Sequence, residues 1–399
     1  MNQRIREYAP KNYLNSSLYQ SFSLLGLLQV MLGWCRVDTR NRYVTRPSVY
    51  QKAYSVLLAA IIGIMYASIH IDYMDEYKAN RNIYRLGTGF IVSHFLVFSI
   101  NLFHIRFCNN DRNINFVMSM QQIDRCMKIN RDKRFSVILR KINNISALLM
   151  IGAFFVLVMC SLYEATIRGV VATVTGALGE GILISDLTLC SNLMVFFTMR
   201  IRFVNAIIAN HLKQHDAFEL HEQFFNKNSF INKWAEKSHD FTSCDTYKYL
   251  KEIMEGFYDL QNIFQLQMLF FCCKFIIGLA LYFEIILLAV GVNKLLYVNV
   301  LIMTSFIACN IMLALLICTR CEKFIREVKE TKNLCIAVMS VHLDDGPLRA
   351  KTRSMLRILE AKPAQFSVYD LWYMEGAFLI KLLSIGTSVV VTLLQLAFL

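Results

Sequence analysis

The chain has 399 residues, 56% of them hydrophobic, and a net charge of +13 from 42 Lys+Arg against 29 Asp+Glu. An apolar fraction this high excludes an ordinary soluble domain. The basic balance does not indicate a nucleic-acid binder: the Lys and Arg residues sit beside apolar runs, where they set membrane topology and meet anionic headgroups.

The first apolar run, near residues 17–34, is interrupted by Gln20, Ser21, Ser23 and Gln29, and no small-residue cleavage site follows it, so it does not read as a signal peptide. Basic residues flank it on both sides (Lys11; Arg36, Arg40, Arg42), and a crossing would put one cluster outside. It is therefore expected to lie in the interface or re-enter, within a cytoplasmic N-terminal segment covering residues 1–52. Seven longer runs follow at 53–70, 86–105, 145–166, 181–199, 266–290, 297–318 and 377–399. Each is close to the ~20 residues that cross a hydrocarbon core as a helix. The runs are continuous, without strand-like alternation, which favours helices over a barrel. The predicted fold is all-α, a polytopic membrane protein with seven transmembrane helices.

The N-terminal stretch and the second, fourth and sixth connecting loops hold 35 of the 42 Lys+Arg, while the first, third and fifth hold only Lys78, Arg81, Arg85, Arg168 and Lys294. Basic loops stay cytoplasmic, which puts the N-terminus inside and, after seven crossings, the C-terminus outside. That is the reverse of a G-protein-coupled receptor. The outside loops, 71–85, 167–180 and 291–296, are too short for a ligand-binding ectodomain, so a ligand arriving from outside has to enter among the helices of 53–318. The inside loops, 106–144, 200–265 and 319–376, are long and rich in apolar residues. Helical spacing at Phe203, Ile207, Ile208 and Leu212, and again at Phe257, Leu260 and Phe264, predicts that the central helices continue into the cytoplasm. Segments 200–265 and 319–376 are read as a helical subunit-contact region. Pro363 suits the first turn of a helix. The last helix is accordingly expected to have a cytoplasmic part near 364–375, a break at Gly376 and a membrane part at 377–399.

Charges inside a membrane cost ~2.5–3.5 kcal/mol each on insertion scales, so they face a cavity, a partner or a pathway. His94, Glu164, Asp186 and Glu284 fall towards the predicted outer leaflet, with the aromatics Phe90, Phe95, Tyr163, Tyr282 and Phe283 at similar depth and Ser93, Thr188, Asn299 and Thr304 as neutral hydrogen-bonding groups. As a set they suit an aromatic-lined small-molecule pocket open to the outside; singly, each also suits polar contact between helices. Lys274 and Lys381 lie nearer the inner leaflet, where long side chains snorkel, and Lys381 on a pore helix would bear on ion selectivity. None of the twelve cysteines falls in an outside loop, and Cys318-x-x-Cys321 stands without a second pair. No HExxH, GxSxG or phosphate-binding glycine cluster is present, so neither an enzyme nor a metal or other cofactor is expected.

In the last run, Ser388, Thr392 and Gln395 are spaced i, i+4, i+7 and share one helix face. Such a stripe lines a water-filled path where several copies meet, and Gln395 beside Leu396 would set a polar ring against an apolar one that gates by dewetting. Inverted topology, short outside loops, long helical inside loops and this final helix together resemble the insect gustatory receptor family. Its motif, T-Y, five hydrophobic residues, then Q-F, aligns with Ser388-Val389, Val390 to Leu394, and Gln395-Leu396, matching at Gln395 and in the hydrophobic spacing. The resemblance implies a tastant-gated, non-selective cation channel in the plasma membrane, a homo- or heterotetramer with related subunits, with Gln395 and Leu396 at the gate. Val390 stands where sugar-sensing members often carry Glu, which turns the expected ligand towards bitter or other noxious compounds. A seven-helix G-protein-coupled receptor lacks support from any D-R-Y or N-P-x-x-Y signature, and a transporter from any internal repeat or broken helix.

Overall fold

The computed structural model describes residues 12–77, 81–129, 133–163, 167–214, 231, 235, 240–291, 297–342 and 346–398. Two short helices, α1 (Ser16–Ser21) and α2 (Ser23–Met31), precede the long ones. The nine residues of α2 rise about 14 Å, half a hydrocarbon core, so the first apolar run does not cross. Gly33 ends it at φ +75°, and a Cβ there would meet Leu58 at 3.1 Å and Tyr54 at 3.3 Å. α2 buries Leu25 and Gln29 and exposes Leu27, Val30 and Met31.

The long helices are α3 (Val49–Tyr77), α4 (Arg81–Phe107), α6 (Lys133–Tyr163), α7 (Ile167–Gln214), α8 (Thr246–Gly291) and α9 (Tyr297–Val341), with the shorter α5 (Asn110–Cys126) between α4 and α6. α3 opens on a reciprocal cap: Gln51 N–H donates to Ser48 Oγ at 3.3 Å and Ser48 N–H to Gln51 Oε1 at 3.1 Å. α3, α4, α6, α7 and α8 are each long and apolar enough to cross a membrane, and α10 (Pro347–Ala361) and α11 (Gly376–Phe398) complete the helical set. The chain is an all-α polytopic membrane protein.

α7 is the central mast. Its apolar window is 83% buried within the protein, against 17% for α3 and for α6. The sequence accounts for the difference. α7 intersperses Thr175, Ser185, Ser191, Asn192 and Thr198, all buried, among its apolar residues, whereas α3 and α6 turn Leu57, Ile64, Leu148, Leu149 and Phe155 outward to lipid. Its 48 residues rise about 72 Å, more than twice the hydrocarbon thickness, so it extends well beyond the membrane.

The extended end has a protein-like core. Phe257 of α8 stacks on Phe324 of α9 with centroids 4.5 Å apart and meets Phe197 of α7 and Phe366 edge-on at 6.5 and 6.3 Å. Arg200 of α7 holds Asp124 of α5 through its Nε and Nη2 at 3.0 and 2.9 Å and lies 3.6 Å over the Phe196 ring. Arg202 pairs with Glu327 of α9, and Lys351 of α10 donates to the Phe241 and Cys244 carbonyls. Burial pushes the Cys335 thiol up to about 12, so it stays protonated and packs as an apolar group.

Two expectations are corrected. Residues 167–180 are not a loop: α7 begins at Ile167 and runs straight through Gly169, Gly176 and Gly179. Gly179 is required by packing, since a Cβ there would sit 2.5 Å from Tyr66 Oη of α3. Nor do residues 364–375 form the cytoplasmic part of the last helix. They make a two-stranded hairpin, β1 (Ser367–Val368) with β2 (Trp372–Tyr373), and Pro363 lies in the connection after α10. The turn is set by Tyr369 and Asp370, both left-handed at φ 51° and 56°, with Ser367 Oγ bonded to the Asp370 carboxylate and accepting from its N–H. Helix resumes at Gly376, where the Glu322 carboxylate approaches the first turn of α11 so closely that a Cβ on Gly376 would meet it at 2.6 Å.

Candidate ligand site and ion path

Three charged or ionisable side chains converge within the helix bundle from three helices. Glu180 of α7 accepts from His94 Nδ1 of α4 at 3.1 Å and pairs with Lys274 of α8; the side chains of His94 and Glu180 are 8% and 3% exposed. A carboxylate in lipid would be costly, and here one cation and one imidazole offset its desolvation. Phe275, Gly278, Leu279, Ile307 and Asn310 close the remaining walls around a cavity of about 20 Å³, room for a water molecule. The sequence pointed to His94 but missed Glu180, which had been read as part of a loop. It also left Lys274 to snorkel, and the structure corrects this: Lys274 reaches inward to Glu180.

Asp186, six residues further along α7, is not brought to His94. It binds Arg36 of the N-terminal segment through two parallel bonds, Nε–Oδ1 at 3.0 Å and Nη2–Oδ2 at 2.5 Å, and the guanidinium lies 4.2 Å over the Phe264 ring. The expectation of an outer cavity gives way for this residue because the N-terminal segment supplies it with a buried partner. Thr188 is turned back on its own helix, its hydroxyl bonded to the Ile184 carbonyl at 2.7 Å. Phe95 packs against Tyr66 and Phe98 with centroids 6.0 and 6.4 Å away, beside His94. Ser93 is half-buried on α4 and Thr304 exposed on α9. Phe90, Tyr163, Glu164, Tyr282, Phe283, Glu284 and Asn299 lie outside the described side chains.

Beyond the triad, α7 carries a chain of hydrogen bonds that starts from one cation, Arg320. Arg320 of α9 donates to Asn192 Oδ1 at 2.5 Å and to Ser191 Oγ at 3.1 Å; Asn192 donates to Asn143 of α6 at 2.8 Å, and Asn143 to the Ser21 carbonyl of α1 at 2.7 Å. Four helices are joined by groups that each satisfy the next.

On α11, Ser388, Thr392, Gln395 and Lys381 are all exposed in the single chain, while Phe378 and Leu382 are buried against the bundle. The Ser388 and Thr392 hydroxyls bond back to the carbonyls of Ser384 and Ser388 at 2.9 Å. The side chain of Leu396 lies outside the described residues. On the other face, α11 meets α8 closely: a Cβ on Gly386 would stand 2.6 Å from Leu279 Cδ2. Cys318 and Cys321 are both buried, and among the described residues no group of three or more His, Cys, Asp or Glu side chains is arranged to hold a metal.

The helix order, the extensions of α7, α8 and α9 beyond one membrane thickness and the packing of the final helix against α8 define a polytopic all-α membrane fold. In particular, the chain shares its fold with the olfactory receptor OR5 of the insect Machilis hrabei, solved in complex with eugenol: TM-score 0.61 over 96% of this chain and 100% of that one, at 12% sequence identity. No family model and no curated protein matches the sequence.

Proposed function

We propose that the protein is a subunit of a chemoreceptor ion channel, gated by a small organic molecule and passing cations. The observation that carries this is the likeness of fold, over essentially the whole of both chains, to an insect olfactory receptor solved in complex with the small molecule eugenol. Two features of this chain support it. The last helix presents Ser388, Thr392 and Gln395 on an exposed face, which a pore shared by several copies would make its lining. The cytoplasmic core of α7, α8, α9, α10 and the hairpin supplies a rigid base suited to contact between four such subunits, of one kind or of related kinds. Within this reading the chain is a gustatory receptor for a bitter or other noxious compound, on the resemblance at Gln395 and on Val390. Gln395 and Leu396 form the gate, Lys381 stands at the inner part of the path, and the ligand is taken up towards the outer end, beside His94 and Phe95.

Expression in cultured cells, with surface delivery checked by a tag, tests it. Alkaloids, sugars and volatile phenols are applied under whole-cell recording while G-protein signalling is blocked. Current evoked by a ligand under block supports the channel. Absence of current across the panel at confirmed surface expression refutes it.

A further inference from the structure

We infer a second small-molecule site at the cytoplasmic end of the bundle, built to take a neutral amphiphile from the inner leaflet. A cavity of about 350 Å³ lies between α2, the segment 35–40, α5 and the inner parts of α7 and α8, within the size range of small-molecule sites. Its walls are mainly apolar, with Phe116 of α5, Leu189 of α7 and Phe264 of α8 among them. Two of its polar wall residues are buried amides with unbonded atoms: Gln29, 8% exposed, at its Nε2, and Asn113, 3% exposed, at both Nδ2 and Oδ1. A buried amide left unpaired costs about 1–3 kcal/mol, so amides in an otherwise apolar wall signal a group that meets them.

The chemistry of that group follows from the rest of the wall. Its charges are already matched in pairs, Arg36 with Asp186 and Arg40 with Asp38 at 3.4 Å, so no net charge awaits a counter-ion. What remains is two donors, Gln29 Nε2 and Asn113 Nδ2, and one acceptor, Asn113 Oδ1. A hydroxyl, which donates and accepts, satisfies Asn113, and an apolar body fills the space beside Phe116 and Phe264. The route is through the membrane: Leu27 and Val30 line the cavity and are also 55% and 46% exposed on the outward face of α2. A sterol and a long-chain alcohol both have this chemistry.

The test uses the full-length protein in phosphatidylcholine vesicles with three photoactivatable probes: a diazirine sterol, a diazirine long-chain alcohol and a diazirine fatty acid in its ionised form. Cross-linked peptides are mapped by mass spectrometry. One or both neutral probes are expected to label Ser23–Met31 or Asn110–Met120, and which of them labels more separates a rigid from a flexible body. Gly26→Leu occludes the cavity, because nothing lies within 4 Å of a Cβ at that position, and the change gains helix propensity, so the fold is retained. Asn113→Val removes the amide. Labelling at these peptides is expected to fall at least fivefold in each variant, with labelling elsewhere unchanged. No neutral labelling at these peptides, equal labelling in wild type and variants, or labelling by the fatty acid as strong as by the neutral probes overturns the proposal. No current is read, so the outcome is independent of the proposed channel activity.

Discussion

Removing the Asp186 carboxylate isolates the Arg36 pair. In Asp186→Asn the side chain keeps its shape, but the Arg36 guanidinium, 8% exposed and directed at a fully buried partner, loses its counter-charge. Breaking a buried ion pair from one side costs about 3–5 kcal/mol, because the remaining charge stays desolvated. At 1.4 kcal/mol per decade this is about two to three and a half orders of magnitude in the folding equilibrium. Replacing both partners, Arg36→Met with Asp186→Leu, removes the charge together with its penalty. The pair of changes is expected to be close to neutral, offset only by loss of the stacking on Phe264, worth about 0.5–2 kcal/mol. The assay is survival of the monodisperse detergent-solubilised protein after heating, read for wild type, both single variants and the double variant. The expected order is wild type and double variant together, with both single variants well below. A single Asp186→Asn variant as stable as wild type, or a double variant no better than the singles, refutes the account of Asp186 as a structural anchor for the N-terminal segment.

The same assay checks two further changes. Gly179→Ala puts a methyl 2.5 Å from Tyr66 Oη and should destabilise by about 1–3 kcal/mol, while adding Tyr66→Phe restores most of the loss; Tyr66→Phe alone should be neutral or stabilising, since that hydroxyl is buried without a partner. Glu180→Gln leaves Lys274 facing a neutral amide and should cost more than Lys274→Met combined with Glu180→Gln. At the proposed gate, Gln395→Ala should change single-channel conductance or ion selectivity without lowering surface expression, because the side chain is exposed in the single chain; unchanged conductance and selectivity would remove Gln395 from the path. A C-terminal epitope should stain on intact cells, and staining only after permeabilisation would invert the topology.

The helical class was legible because a membrane span is a one-dimensional signal for which length and hydropathy suffice. The continuation of α7 and α8 past the membrane was legible from the spacing of Phe203, Ile207 and Leu212 and of Phe257, Leu260 and Phe264, all of which are buried. What failed was local chemistry that depends on a distant partner. Glycines at 169, 176 and 179 read as a loop, since nothing in the sequence shows that Tyr66 occupies the space above Gly179. Asp186 was placed by depth alone, whereas its environment is fixed by Arg36, 150 positions away in the chain. The hairpin at 367–373 was hidden because its left-handed residues are Tyr and Asp rather than glycine.

The ion pairs and hydrogen bonds along α7 also bear on how, in the proposed channel, a ligand at one end of the bundle would act on α11. Glu180, Asp186, Asn192, Arg200 and Arg202 bind in turn α4 and α8, the N-terminal segment, α6 and α9, α5, and α9 again. A helix clamped at so many points moves as a body or not at all, so α7 is the fixed reference rather than the moving part. The route to the last helix runs through α8 instead. Lys274 is held at the triad, and little more than one turn further on Leu279 fills the notch at Gly386, so displacement of the outer part of α8 presses directly on α11. Its first turn lies against the Glu322 carboxylate of α9. A helix pushed at its middle tilts, and if α11 lines a pore shared by several copies, as proposed, that tilt would move Gln395 of each copy away from its counterparts in the others.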